Sequence, residues 1–215
     1  MRPIITATLT IAALAAAACT PREAAELEHP AEGASSAAAQ GTTVLDHART
    51  LPALRPEGNQ LAIPLASTDA HPWRPIRDGI TVTGGPSLRV AYTRSRSQPA
   101  GTALVIRPGD LAGLREFTIA VRGNRSQSLS LTLTQADGSV WTTPPIRVAA
   151  DELRTVRLKA EDITLDPYQN GGGAAGAAFD PAQVCMLTLL DIGGYMSITE
   201  PQCEWTIESM KAVLR

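Results

Sequence analysis

The chain has 215 residues, of which 44% are hydrophobic, 19% are charged and only 4% are aromatic. This length allows one ordinary domain, and the few aromatic residues exclude a ligand site built from many stacked rings. The formal net charge is -2, which argues against non-specific nucleic-acid binding because that requires a surplus of Lys and Arg.

The N-terminus has the pattern of an export signal. Residues 1–3 carry one positive charge, and residues 4–18 are apolar or small, with Thr as the only polar type. This run is shorter than the ~20 residues that a helix needs to span a bilayer, and it fits the hydrophobic region of a secretory signal. We therefore predict that residues 1–18 are a cleaved signal peptide.

The signal ends in the run Leu14-Ala15-Ala16-Ala17-Ala18-Cys19. This run resembles the lipobox of bacterial lipoproteins, although Ala16 stands where that family usually has Leu. The resemblance implies that Cys19 becomes the lipidated N-terminus, and several acyl chains make a stable membrane anchor. Thr20, rather than Asp, after the cysteine implies sorting to the outer membrane, facing the periplasm. The alternatives are cleavage by the ordinary signal peptidase and an uncleaved segment.

The segment after the cysteine has the composition of a spacer. Residues 24–41 are mainly Ala, Glu, Ser and Gly with no apolar period, so they cannot bury enough surface to offset their ordering entropy. We predict a flexible tether over residues 19–60, in which Pro52 and Pro56 limit any helix to a short one. The folded domain is then residues 61–215.

Short alternating runs separated by turn residues fill this domain. The clearest is Ser128–Thr134, where three leucines occupy one face and Ser and Thr the other. Similar runs predict strands at 88–92, 104–106, 117–121, 156–158, 184–192 and 205–214, the last with a bulge at Glu208-Ser209 that keeps its apolar residues on one side. About nine strands with short helical turns predict an all-β fold, a two-sheet β-sandwich of the jelly-roll type.

The order of these segments resembles the galactose-binding-like jelly roll of carbohydrate-binding modules and of the complex I intermediate-associated protein family. The resemblance covers about residues 79–215 and rests on the segments 87–92, 110–121, 154–163, 179–184 and 205–210. It implies a galactose-binding-like fold and a glycan ligand. Two positions depart from the pattern, because Glu208 stands where those families often carry Asp and Thr155 where many carry Trp.

The turn at Asp137-Gly138 generates one site hypothesis. If it is a two-residue hairpin loop, Thr134 faces Trp141, and Trp141 joins Thr132 and Thr134 on the polar face. A Trp in that position is a stacking platform for a sugar ring or a partner protein. A loop longer by one residue would instead turn Trp141 into the core.

Two arginines supply a second hypothesis. Arg89 and Arg122 have the outward phase of their strands, so they are candidates to bind an acidic sugar or a phosphate. The alternative is that both are plain solvated charges.

The cysteines and histidines do not form a pattern typical of a metal site or a catalytic centre. Once Cys19 is lipidated, Cys185 and Cys203 remain as an even pair in an oxidising compartment, which favours a disulfide. A hairpin joining 184–192 to 203–214 would oppose it by separating the two Cα atoms beyond ~7 Å. Of the three histidines, His29 and His47 lie in the tether, so we predict no metal site, no cofactor and no catalytic centre.

The sequence therefore predicts a non-catalytic, lipid-anchored envelope protein with a carbohydrate-binding-like sandwich. The alternative is a structural or assembly lipoprotein whose sandwich docks another envelope protein, and a contiguous exposed aliphatic patch would favour it.

Overall fold

The computed structural model describes residues 45–215, except residue 97 and the segments 170–177 and 195–201. The predicted signal peptide, Cys19 and the tether up to residue 44 lie outside the described residues. No helix in the described ranges is both long enough and apolar enough to cross a bilayer. The same ranges contain no group of three or more His, Cys, Asp or Glu side chains that could hold a metal ion.

The described residues form two antiparallel sheets. The strands are β1 (Gln60–Ala62), β2 (Trp73–Pro75), β3 (Ile80–Thr83), β4 (Leu88–Thr93), β5 (Ala100–Val105), β6 (Leu114–Gly123), β7 (Gln127–Gln135), β8 (Val140–Thr142), β9 (Ile146–Val148), β10 (Leu153–Lys159), β11 (Thr164–Leu165), β12 (Val184–Asp191) and β13 (Gln202–Leu214). Sheet A has the order β10-β6-β13-β4-β3, with β1 paired to β13. Sheet B has the order β11-β8-β7-β12-β5-β2, with β9 paired to β7. The predicted two-sheet sandwich is confirmed.

The two sheets enclose one aliphatic core. Along β6 the alternate residues Phe117, Ile119 and Val121 are fully buried, and Leu129, Leu131 and Leu133 of β7 are buried in the same way. These residues belong to one cluster, because a period of two presents the apolar half of each strand to the opposite sheet. Short helical turns occur at residues 45–50, Ala160–Asp162 and Pro181–Gln183.

The predicted bulge in the last strand is confirmed. The pairing of β13 with β6 shifts register between Ile207 and Ser209. The extra residue reverses the phase of the strand, so that Ile207 before it and Met210 after it are both buried. Glu208 consequently lies on the solvent side.

The hairpin between the last two strands does not form. β12 pairs with β5 and β7 in sheet B, whereas β13 pairs with β4 and β6 in sheet A. The nearly continuous apolar run of β12 fits this central position, since the strand has a neighbour on each side and buried residues on both faces.

The possible disulfide between Cys185 and Cys203 does not form either. Cys185 is the second residue of β12 in sheet B, where its carbonyl accepts from the amide of Ile106, whereas Cys203 is the second residue of β13 in sheet A and faces Tyr92. Both side chains are buried and the two sulfurs are not bonded. Burial raises the pKa of the Cys185 thiol, so this thiol stays protonated and unreactive at neutral pH.

The folded unit begins before residue 61. Ala48 and Leu51 are buried, the amide of Leu54 donates to Asp110 Oδ1 at 3.2 Å, and β1 extends sheet A from Gln60. Residues 45–59 therefore pack with the sandwich, whereas their sequence predicts that they belong to the tether. Their apolar residues are too few and too irregularly spaced to produce a helical period.

Candidate functional site

Trp141 is not on the polar face. The loop between β7 and β8 has three residues, because the amide of Gln135 donates to the carbonyl of Ser139 and Thr134 pairs with Val140. Gly138 adopts φ +84°, the left-handed conformation that completes such a loop. The register therefore moves by one residue and places Trp141 opposite Leu133, so this stacking platform does not exist.

Trp141 instead closes one edge of the core. It is 5% exposed, its ring centroid lies 5.4 Å from that of Phe179, and its Nε1 donates to Ser139 Oγ at 3.1 Å. Asp137 Oδ1 accepts from both the amide and the hydroxyl of Ser139. These bonds lower the pKa of Asp137 and fix the loop that sets the register.

The predicted polar face of β7 is the outer side of sheet B. Across it, four threonines stand in register on neighbouring strands: Thr188, Thr132, Thr142 and Thr164. The centre of this row is hardly accessible, since Thr132 is 4% exposed and its hydroxyl donates to the carbonyl of Thr188. Thr134, next along β7, is half-buried. Sheet B therefore offers a ligand few free groups at the predicted positions.

Arg89 and Arg122 project from the other sheet. Both are exposed, as their phase predicts, and both pair with Thr206 of β13, Arg89 from β4 and Arg122 from β6. Their Cα atoms are therefore about 10 Å apart, two inter-strand spacings. The structure thus divides the predicted site residues among three places: Thr132 and Thr134 lie on the outer face of sheet B, Trp141 lies in the core, and Arg89 and Arg122 lie on the outer face of sheet A.

A depression of about 310 Å³ lies beside Arg89 on the outside of sheet A. Its lining includes the polar side chains Thr81, Thr93, Asn124, Gln202 and Glu204. Arg89 forms an ion pair with Glu204, and this contact raises the pKa of the arginine. Hydroxyl, amide and carboxylate groups with a guanidinium at the rim can donate to and accept from the hydroxyls of a sugar.

Glu204 is held rigidly by its backbone. Its amide donates to Asn124 Oδ1 at 2.8 Å, and its carbonyl accepts from the Asn124 amide and from Gln127 Nε2, each at 3.0 Å. Its carboxylate is therefore presented from a fixed strand position, which lowers the entropy cost of binding a ligand there. Gly123 is needed beside this contact, because a Cβ at that position would lie 2.9 Å from the backbone carbonyl oxygen of Arg125 and 2.1 Å from Gln127 Oε1.

A buried polar network supports this end of the sandwich from the core side. The hydroxyl of Tyr92 donates to Asp191 Oδ2 at 2.5 Å, and Arg94 Nε donates to the same oxygen at 2.9 Å. Gln127 Nε2 also reaches the Tyr92 hydroxyl at 3.4 Å. Burial, and then the charge of Asp191, raise the pKa of Tyr92, so its phenol remains a hydrogen-bond donor.

A second depression, of about 700 Å³, lies at the opposite end of the same face. Its lining includes Arg115, Glu116, Lys159, Glu161 and Arg215, and Lys159 is paired with Glu161 at 2.9 Å. Three basic and two acidic side chains line it, so charges of both signs are present and the depression has no clear preference for one class of ligand.

Sequence reasoning found the arginines of this face but missed its other groups. Asn124 and Glu204 are 80 positions apart in the chain, and Arg89 and Glu204 are 115 apart. Alternation places Glu204 outward next to Cys203 and Trp205, but it does not reveal which strand lies beside β13.

Comparisons with known proteins show that the chain resembles solved structures in its architecture. No family model matches the chain, and no curated protein matches it. Solved structures that resemble it include the family 11 carbohydrate-binding module of the cellulase Lic26A-Cel5E from Clostridium thermocellum, at 11% identity and TM-score 0.48, covering 72% of this chain and 95% of that one. A family 11 module from Clostridium thermocellum in complex with a β-1,3-1,4-mixed-linked tetrasaccharide shares 11% identity at TM-score 0.48, over 76% and 93% of the two chains. A family 29 carbohydrate-binding module variant, with 12% identity and TM-score 0.47, covers 71% and 89%. These neighbours are carbohydrate-binding β-sandwiches, and likeness at this level carries no argument about the ligand of this chain.

Proposed function

We propose that this protein is a non-catalytic, lipid-anchored protein of the cell envelope that binds a glycan through the outer face of sheet A. The observation that carries the proposal is the depression beside Arg89, where Asn124, Gln202 and Glu204 present hydrogen-bonding groups at its lining. Its volume suits one sugar unit, at the small end of the ~300–1,000 Å³ typical of ligand pockets. The N-terminal lipid would hold the sandwich at the membrane, and the residues before 45 would separate the two.

The alternative role of docking another envelope protein has less support. Within the described ranges the exposed large hydrophobic side chains are Leu153, 49% exposed, and Tyr168, 93% exposed. Leu153 begins β10 at the edge of sheet A, whereas Tyr168 follows β11 at the edge of sheet B. Two separated side chains do not form the contiguous apolar patch that typically marks a protein-docking surface.

Glu204→Ala is expected to weaken glycan binding at least about tenfold, because a hydrogen bond to a charged group contributes about 1.5–3 kcal/mol and 1.4 kcal/mol corresponds to a factor of ten. The mature protein would first be screened on a glycan array, and the affinity of wild type and variant for the best neutral glycan would then be measured by calorimetry. Asp46→Ala, which removes an exposed acid from an ion pair with Arg49, is the matched control and should bind normally. The proposal fails if wild type retains no glycan or if Glu204→Ala binds as well as wild type.

Cys19→Ser is expected to abolish lipidation. Cells fed an alkyne-labelled fatty acid should incorporate label into the wild-type protein and none into the variant, because the thiol that carries the diacyl group is missing. Label retained by Cys19→Ser would overturn the lipoprotein assignment while leaving the glycan site unaffected.

A further inference from the structure

Three basic side chains, Arg122, Arg157 and Lys211, lie on the outer face of sheet A beyond the depression. Arg122 faces Thr206, and two rows further along the same face Arg157 of β10 and Lys211 of β13 lie on either side of Thr118. All three are exposed. The ion pairs formed among the described residues involve none of them.

The floor between these cations is made of small side chains. Thr155, Ala120 and Ser209 occupy neighbouring positions on β10, β6 and β13, in the row between Arg122 and Thr118. Arg122 and Thr118 are four residues apart on β6, about 13 Å along an extended strand. An extended polymer could therefore lie on this floor with cations at both ends of the stretch.

The acidic groups on the same face are fewer. The outward positions of sheet A carry five basic side chains, which are Arg89, Arg122, Arg157, Lys159 and Lys211, against Glu116, Glu204 and Glu208. Arg89 neutralises Glu204, and Lys159 is paired with Glu161 outside this face. Near the small-residue floor, Glu208 in the bulge and Glu116, one row beyond Thr118, are the acids that oppose the three cations.

We infer that this stretch binds the acidic groups of an anionic polysaccharide, with one sugar unit of the same chain in the depression. The inference rests on the proposed glycan-binding function and adds the charge class of the ligand. Guanidinium groups pair with carboxylates through two parallel hydrogen bonds. The hydroxyls of Thr118, Thr155 and Ser209 can donate hydrogen bonds to sugar hydroxyls and accept hydrogen bonds from them. A polysaccharide fits better than a nucleic acid because the hydrogen-bonding depression continues the cationic stretch and the whole chain carries net charge -2.

Paired polymers provide the test. The mature protein would be titrated with polygalacturonate, which has a carboxylate on each unit, and with its methyl-esterified form, whose carboxylates are blocked. Wild type should bind the acidic polymer at least about tenfold tighter, equivalent to about 1.4 kcal/mol, and added salt should reduce the difference because exposed charges are screened over about 8 Å at physiological ionic strength. The triple variant Arg122→Ser, Arg157→Ser, Lys211→Ser should lose this preference, whereas Glu208→Gln should increase it.

The controls distinguish the preference for an anionic polymer from glycan binding itself. Arg74→Ser removes an exposed cation from the edge of sheet B and should leave the preference unchanged. Binding of both polymers with equal affinity would overturn the charge inference and leave the glycan site standing, whereas binding of neither polymer, nor of any arrayed glycan, would end both. Double-stranded DNA that binds as tightly as polygalacturonate and competes with it would also overturn the inference, because the face would then recognise charge without sugar.

Discussion

Replacing Asp191 with Ala should lower the free energy of unfolding by about 3–5 kcal/mol. The side chain of Arg94 is only 4% exposed and is paired with Asp191 at 2.9 Å, so the substitution leaves a buried guanidinium without its counter-charge. The hydroxyl of Tyr92 and the amide of Gly193 lose their acceptor at the same time. Domains of this size have a net stability of about 5–15 kcal/mol, so urea denaturation followed by circular dichroism would detect the change.

The matched control removes both members of the buried ion pair, the guanidinium of Arg94 and the carboxylate of Asp191. In the double variant Asp191→Ala, Arg94→Met no buried charge remains, and replacing a buried pair by apolar groups is often close to neutral. The double variant should therefore recover at least half of the lost stability. A second control, Lys159→Ala, removes an exposed partner of Glu161 and should leave the unfolding midpoint unchanged. A double variant less stable than Asp191→Ala would contradict the assignment of the loss to an unpaired charge.

The same network connects stability to the proposed glycan site. Gln127 bonds to both Tyr92 and the carbonyl of Glu204, so loosening the buried pair would also loosen the strand position that presents the Glu204 carboxylate. Variants of Asp191 are consequently unsuitable for testing binding, whereas Glu204→Ala changes a half-buried group on the outer face and leaves the supporting bonds of its backbone intact.

Local pattern predicted much of this fold. The alternation of β6 and β7 placed Phe117, Ile119 and Val121 of β6 and the leucines of β7 correctly in the core. The phase reversal in β13 required the bulge that is found between Ile207 and Ser209. These successes share one cause: a residue's side of the sheet depends only on counting along its own strand.

Predictions that depended on a loop or on distant pairing were less successful. One additional loop residue before Ser139 moved Trp141 from the solvent side to the core, since each step along a strand reverses the face. The hairpin considered for the last two strands does not form, because strand order depends on contacts between segments far apart in the chain. For the same reason the sequence could identify Arg89 as outward-facing but could not pair it with Glu204.

Trp205→Ala should cost about 3–5 kcal/mol, whereas Trp205→Phe should cost less than about 2 kcal/mol. The side chain is fully buried in the core, so truncation to Ala leaves a large cavity. Its Nε1 has no hydrogen-bond partner among the described residues, and a buried donor without a partner carries a desolvation penalty of about 1–3 kcal/mol. Phe removes that donor and fills most of the volume, so the two effects partly offset each other.

Trp141→Phe is the matched comparison for Trp205→Phe. Both substitutions replace an indole by a phenyl ring, but only the indole nitrogen of Trp141 has a hydrogen-bond partner among the described residues. Trp141 Nε1 donates to Ser139 Oγ, so its replacement by Phe loses a bond that Trp205 does not make, and it should cost about 1 kcal/mol more than Trp205→Phe. Urea denaturation monitored by far-ultraviolet circular dichroism avoids any dependence on the number of tryptophans. If Trp205→Phe were as costly as Trp141→Phe or more so, the penalty of the unpaired indole would be refuted, and cavity volume alone would account for both sites.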